Sequence, residues 1–141
     1  MQVIIKDKEY GLHWGLGAVE ISAEIFDLNP DTLLFNSIIF EIENEEVNFN
    51  KPVMVDNRLV FGAILNYCDQ NDITFDLTYT KFRNAYNDFD LEVHEQLVND
   101  FKKSKYVGKI VEELLNEAIA KINPVEEPKT TSKKKKPTLS K

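Results

Sequence analysis

The chain has 141 residues, 43% of them hydrophobic, and includes nine Phe, five Tyr and one Trp, so it can bury the core of one domain and is not typical of a disordered protein. Its formal net charge is −7, but residues 124–141 carry six lysines and two glutamates, a charge of +4 that leaves −11 for residues 1–123. An acidic body does not favour nucleic acid, and no apolar run approaches the ~18 residues that a membrane span needs.

The compartment expected from this sequence is the cytoplasm. The first residues lack the basic and long apolar segments of a signal peptide. Cys68 is the single cysteine and cannot form an internal disulfide. It is predicted to be a small buried hydrophobe of a helix.

The N-terminal segment begins as a strand pattern and continues as a helix pattern. Residues 2–13 alternate between apolar and polar side chains about a polar turn, which predicts a β-hairpin. Residues 16–28 carry apolar side chains on two adjacent sets of three- and four-residue steps, leaving polar residues such as Ser22 for water. So wide an apolar sector predicts the central helix of the domain, with Gly15 and Gly17 at the junction with the hairpin.

The segment 29–55 is predicted to be a helix followed by a loop. Asn29 is a good N-cap and Pro30 fits the first helical position. Apolar residues at four-residue spacing then predict a helix through residue 42, although the β-branched and aromatic content leaves a strand at 38–42 as an alternative. Residues 43–55 are predicted to be a loop.

Four further helices are predicted between residues 56 and 122, each opening at a polar residue that can cap it. These residues are Asp56, Asp76 or Thr78, Asp90 and Ser104. The last helix has the cleanest amphipathic pattern in the chain. Its apolar stripe suits packing either on the core or on another subunit.

The predicted fold is mainly α, with a short N-terminal β-hairpin, a bundle of about five to six helices and a disordered basic C-terminal tail. Residues 1–123 are expected to form a single helical domain, with the hairpin in 1–13. Residues 124–141 lose all periodicity and are rich in lysine and proline, which predicts a flexible tail.

No catalytic, cofactor-binding or metal-binding motif is present in the sequence. His13 and His94 lie in different predicted elements, and no cysteine pairs with either at a zinc-binding spacing. The segment Gly15-Leu16-Gly17 lacks the third glycine and the long buried strand of a phosphate loop. We therefore expect a protein that is not an enzyme and needs no cofactor or metal.

Three short phrases, in the order in which they occur, resemble the tail assembly chaperones of long-tailed bacteriophages. Residues 4–18 match a hairpin of the form I-x-x-K-E-Y-x-L-x-F-G-x-G-A that leads into a helix, with Trp14 in place of a smaller aromatic residue. Residues 59–68 and 113–119 are similar to two later helical segments of the family. The likeness covers about residues 1–122, and the acidic segment 43–55 departs from it.

The resemblance implies a nonstructural protein of the host cytoplasm. Such chaperones coat the tape measure protein before the tail tube polymerises around it, help to recruit the tail tube protein, and are absent from the mature virion. Many are made in two forms, the longer by a programmed ribosomal frameshift. The run Lys133, Lys134, Lys135 and Lys136 is the kind of peptide that an A-rich slippery sequence encodes, and a solubilising basic tail is the alternative interpretation.

The apolar stripe of the last helix is the candidate partner-binding site, because a small helical domain can cover apolar stripes of a client. Its residues are Val107, Ile110, Val111, Leu114 and Ala118. Weak contacts repeated along a client would give avidity and still permit release. Replacing Ile110 and Leu114 by Asp is expected to abolish client binding or to unfold the domain.

Two other classes of function remain open at the sequence level. A structural tail or connector protein of the virion would need the same helical body. A small binding module could use the basic tail as an electrostatic arm for nucleic acid, but no predicted helix carries the arginines of a reading helix. Nucleic acid and membrane are therefore not expected as partners, while a homo-oligomer is left open.

Overall fold

The computed structural model describes residues 1–105 and 107–122, and in that part the chain forms two β-hairpins and six helices. In chain order the elements are β1 (Gln2–Ile5), β2 (Lys8–Gly11), α1 (Leu16–Phe26), α2 (Pro30–Phe35), β3 (Ile38–Glu43), β4 (Glu46–Val55), α3 (Asn57–Gln70), α4 (Tyr79–Asn87), α5 (Leu91–Lys102) and α6 (Val107–Ile122). The predicted mainly α fold with an N-terminal hairpin is confirmed. The predicted tail, 124–141, lies outside the described residues.

The N-terminal hairpin pairs β1 with β2 in an antiparallel ladder, and one face of it enters the core. Val3, Ile5 and Tyr10 are buried. The two-residue turn, Lys6 and Asp7, has φ values of 52° and 66°, the left-handed conformation that lets a short loop match the twist of its strands. The hairpin is therefore an integral part of the domain.

A second antiparallel hairpin, β3–β4, occupies a segment that was predicted to be helix and loop. The predictions of a helix through residue 42 and of a loop at 43–55 are wrong, and the alternative prediction of a strand at 38–42 is confirmed. Helix α2 ends at Phe35 because the β-branched and aromatic residues that follow alternate in and out of a ladder. Ile38 pairs with Val55 at the buried end of this hairpin, while residues 41–47 at its tip are exposed.

The central helix of the domain is α3, and the prediction that 16–28 would be central is wrong. Eight of the fourteen α3 residues are buried, whereas α1 packs one face along α3 and exposes Leu16 and Ile25. Ser22, predicted to face water, is buried and donates a hydrogen bond of 2.9 Å to the Arg58 carbonyl oxygen. The apolar sector of α1 is wider than the surface that its neighbours cover.

The predicted helix starts agree with the structure at the level of single hydrogen bonds. The side chains of Asn29, Asp56 and Thr78 accept hydrogen bonds from backbone N–H groups of α2, α3 and α4. Ser104 Oγ accepts one of 2.7 Å from the Gly108 N–H at the start of α6. Asp90 opens α5 without such a bond. These local patterns fix where the helices begin.

Contacts among the last elements determine where the candidate site lies. Strand β4 packs on α5, and the buried Tyr86 hydroxyl of α4 donates a hydrogen bond to the Val55 carbonyl oxygen at the end of β4. Helix α6 packs on α2 and α5. The outer half of the second hairpin and the second half of α6 are left facing each other across a gap.

Candidate partner-binding groove

An apolar cavity of about 290 Å³ separates the second hairpin from α6. One wall comes from the end of α2 and from the hairpin, through Phe35, Ile38, Phe40, Ile42, Val47 and Phe49. The other wall comes from α6, through Val111, Leu114, Leu115 and Ala118. Asn36 is the one polar residue of this described lining. We call this cavity, with the hollows that adjoin it, the α6 groove.

The groove follows α6 for more than two helical turns. One adjoining hollow shares Phe35, Asn36 and Leu114 with the central cavity and reaches Ile110. Another shares Val47 and Phe49 with it and reaches Ile119. Ile110 and Ile119 are nine positions apart, which corresponds to about 14 Å at ~1.5 Å per residue. This length suits a segment of a partner helix rather than a small compact ligand.

The five residues predicted for partner binding divide between the core and the groove. Val107 and Val111 are buried in the core, although Val111 also borders the central cavity. Ile110, Leu114 and Ala118 are half-buried and face the groove or its end. The apolar stripe thus packs on the core at its start and faces an open groove further along, while packing on another subunit stays a prediction. The lysine run 133–136 lies outside the described residues.

The opposite wall was missed in the sequence. Ile42 and Val47 flank the turn at Asn44 and Glu45, which has φ values of 52° and 66°. Alternating apolar residues on both sides of a two-residue turn that begins with Asn favour a hairpin, although Glu45 stands where glycine is usual. That signal was present, but the four-residue spacing that continues from α2 competed with it.

Carboxylates border the apolar surface at both ends of the groove. Asp31 lies at the α2 end, Glu43 and Glu46 lie at the hairpin end, and Glu112 lies along the side with Lys102. A hydrogen bond from the Asn48 amide, together with Lys51 at 3.3 Å, lowers the pKa of Glu43. Glu43 is therefore ionised at neutral pH.

The groove offers binding surface rather than reactive groups. Burial raises the pKa of the Cys68 thiol, and Cys68 lies in the core rather than in the groove. Across 1–105 and 107–122, no three His, Cys, Asp or Glu side chains are grouped so that they could hold a metal ion. What the arrangement can do is cover an apolar surface of another molecule.

Comparison of the chain with protein-family models, with curated proteins and with solved structures finds no match. In the described part of the chain, each helix is too short or too polar to cross a membrane.

Proposed function

We propose that this chain is a tail assembly chaperone of a long-tailed bacteriophage, which acts in the host cytoplasm and binds the tape measure protein through the α6 groove. In this role it keeps the client soluble, helps to bring the tail tube protein to it, and leaves before the virion is complete. The protein performs no catalysis. Its role is to bind the client and later to release it.

The observation that carries the proposal is the open apolar groove. Phe35, Ile42 and Val47 are 59%, 69% and 49% exposed, although all three line one continuous cavity. Apolar side chains grouped in this way at a surface are typical of a protein-interaction site. A groove beside a helix suits the helix-in-groove mode of recognition, in which apolar residues at three- and four-residue spacing enter the groove.

The choice of client comes from the resemblance of residues 4–18, 59–68 and 113–119 to the chaperone family. A long helical client exposes apolar stripes until a tube covers them. A groove of about 14 Å covers roughly two turns of such a helix, so several copies of this chain would bind along one client. Repeated weak contacts give high avidity and are lost one by one when tube subunits compete.

The first test replaces one exposed groove residue and compares it with a matched exposed residue elsewhere. Ile42 on β3 is 69% exposed and Ile4 on β1 is 65% exposed, so Asp at either position buries little charge. With the tape measure protein co-expressed, Ile42→Asp should reduce its recovery on the tagged chaperone by about tenfold, because a carboxylate would enter an apolar contact. Ile4→Asp should leave recovery unchanged.

The same experiment separates the proposal from its alternatives. Equal recovery with both variants, each shown to be folded by circular dichroism, would exclude the groove as the binding site. Absence of any co-purifying partner, together with the chain's presence in purified particles, would favour a structural protein of the virion. The Ile110→Asp/Leu114→Asp variant is less informative, because both residues are half-buried and α6 packs on α2.

A further inference from the structure

The charges around the α6 groove specify the partner more closely than its apolar lining does. Asp31 lies at one end, Glu43 and Glu46 at the other, and Glu112 along one side. Among the described residues that line these hollows, Lys102 is the one basic side chain, and Lys51, outside the lining, pairs with Glu43 at 3.3 Å. Four carboxylates thus face two lysines. The apolar surface is therefore enclosed by a predominantly negative rim.

We infer that the α6 groove binds an amphipathic helix that carries Lys or Arg at both ends of its apolar segment. This inference rests on the proposed function and deepens it, because it states the chemistry of the client segment. Complementary charges at the edge of an interface set orientation and partner choice more than they set raw affinity. Basic residues before and after the apolar segment would meet carboxylates at each end of the groove, whereas acidic residues there would be repelled.

Two other occupants fit the groove less well. The chain's own residues 124–141 are basic, but Val125 and Leu139 are their only large apolar residues, too few to fill an apolar groove. A second copy would bring another body of charge −11, and the outer face of its α6 carries Glu112, Glu113 and Glu117. Self-association through this groove therefore opposes like charges.

The test uses the full-length chain and two synthetic helical peptides with the same apolar face, one flanked by lysines and the other by glutamates. Fluorescence anisotropy at low ionic strength should show about tenfold tighter binding of the lysine peptide, a preference that added salt reduces. The rim variant Glu46→Lys/Glu112→Lys should abolish or reverse the preference. Both residues are exposed, so the fold should tolerate the change.

The matched control is Glu20→Lys/Glu24→Lys, which makes the same change of net charge on exposed positions of α1. It should keep most of the preference for the lysine peptide. Equal loss in the rim and control variants would assign the effect to net charge alone and overturn the inference. So would equal affinity of the two peptides for the unmodified chain.

The outcomes also distinguish this inference from the function on which it rests. If both peptides bind equally and Ile42→Asp weakens both, the groove binds helices and only the charge specification is wrong. If neither peptide binds and Ile42→Asp leaves recovery of the tape measure protein unchanged, the proposed function fails as well.

A gain of about tenfold for the lysine peptide when Lys133–Lys136 are all changed to Gln would identify the chain's own tail as the occupant. Dimerisation in sedimentation experiments that Ile42→Asp removes would identify a second copy, and either result would overturn the inference.

Discussion

At the residue scale, His94 is a titratable side chain in surroundings that are unfavourable to its charged form. It lies in α5 and is buried, with its ring 4.8 Å from that of Tyr86 and 5.9 Å from that of Phe89. Its Nδ1 has no hydrogen-bond partner in the described part of the chain. Burial lowers the pKa of His94 below its ordinary value, because the charged imidazolium would lose water without gaining an anion.

This environment predicts that acidification destabilises the fold before the carboxylates titrate. As the pH falls through about 6.5, the unfolded chain takes up a proton at this position and the folded chain does not. The free energy of unfolding should therefore decrease between pH 7.5 and pH 5.5, and His94→Phe should remove that part of the decrease. Urea denaturation at the two pH values measures it.

The exposed His13 provides the control for the pH experiment. His13→Phe leaves His94 in its aromatic surroundings, so the loss of stability on acidification should persist in that variant. A pH dependence that is identical in the unmodified chain and in His94→Phe would show that His94 doesn't control it.

At the element scale, the contact between α1 and α3 depends on the absence of a side chain at Gly62. A Cβ at this position would contact Ser22 Oγ and would lie 2.6 Å from the Ala18 carbonyl oxygen. Both neighbours belong to α1, and the carbonyl oxygen is backbone that cannot rotate away. Gly62 therefore allows the two helices to approach closely.

Gly62→Ala is expected to lower the free energy of unfolding by about 1–3 kcal/mol, the usual cost of overpacking a core. Alanine in a helix interior is normally favoured over glycine by about 1 kcal/mol, so a net loss would report the clash directly. Gly15→Ala serves as the comparison, since its Cβ would meet nothing closer than the His13 ring at 3.6 Å. Its cost should stay below about 1 kcal/mol, as for a weakened N-cap. Similar losses in both variants would contradict this account of the helix crossing.

Elements that depend on local chemistry could be predicted from the sequence, and elements that depend on distant contacts could not. Asn29, Asp56 and Ser104 were assigned correctly as helix starts because a cap acts within one turn. The broad apolar face of α1 does not indicate which part of it is covered, so the sequence favours α1 over α3 as the central helix. The α6 wall of the groove could be predicted from the helical spacing of its apolar residues. The other wall could not, because segment 38–55 is predicted to be helix and loop.

At the scale of the whole molecule, the second hairpin and α6 together form the proposed binding surface. The tip of the hairpin, 41–47, is exposed, and α6 packs on α2 and α5. The inner parts of both elements belong to the core, while their outer parts face the groove. Such a division lets the protein keep a stable fold while it exposes apolar surface for a partner.

The most direct test of the central claim is site-specific photo-crosslinking of the full-length chain to the co-expressed tape measure protein. A photoreactive residue at Ile42 places the probe in the groove, and one at Leu91, which is 67% exposed at the start of α5, places it elsewhere. We expect the tape measure protein to crosslink to position 42 and not to position 91. Crosslinking from both positions alike, or from position 91 alone, would contradict the assignment of the α6 groove as the client-binding site.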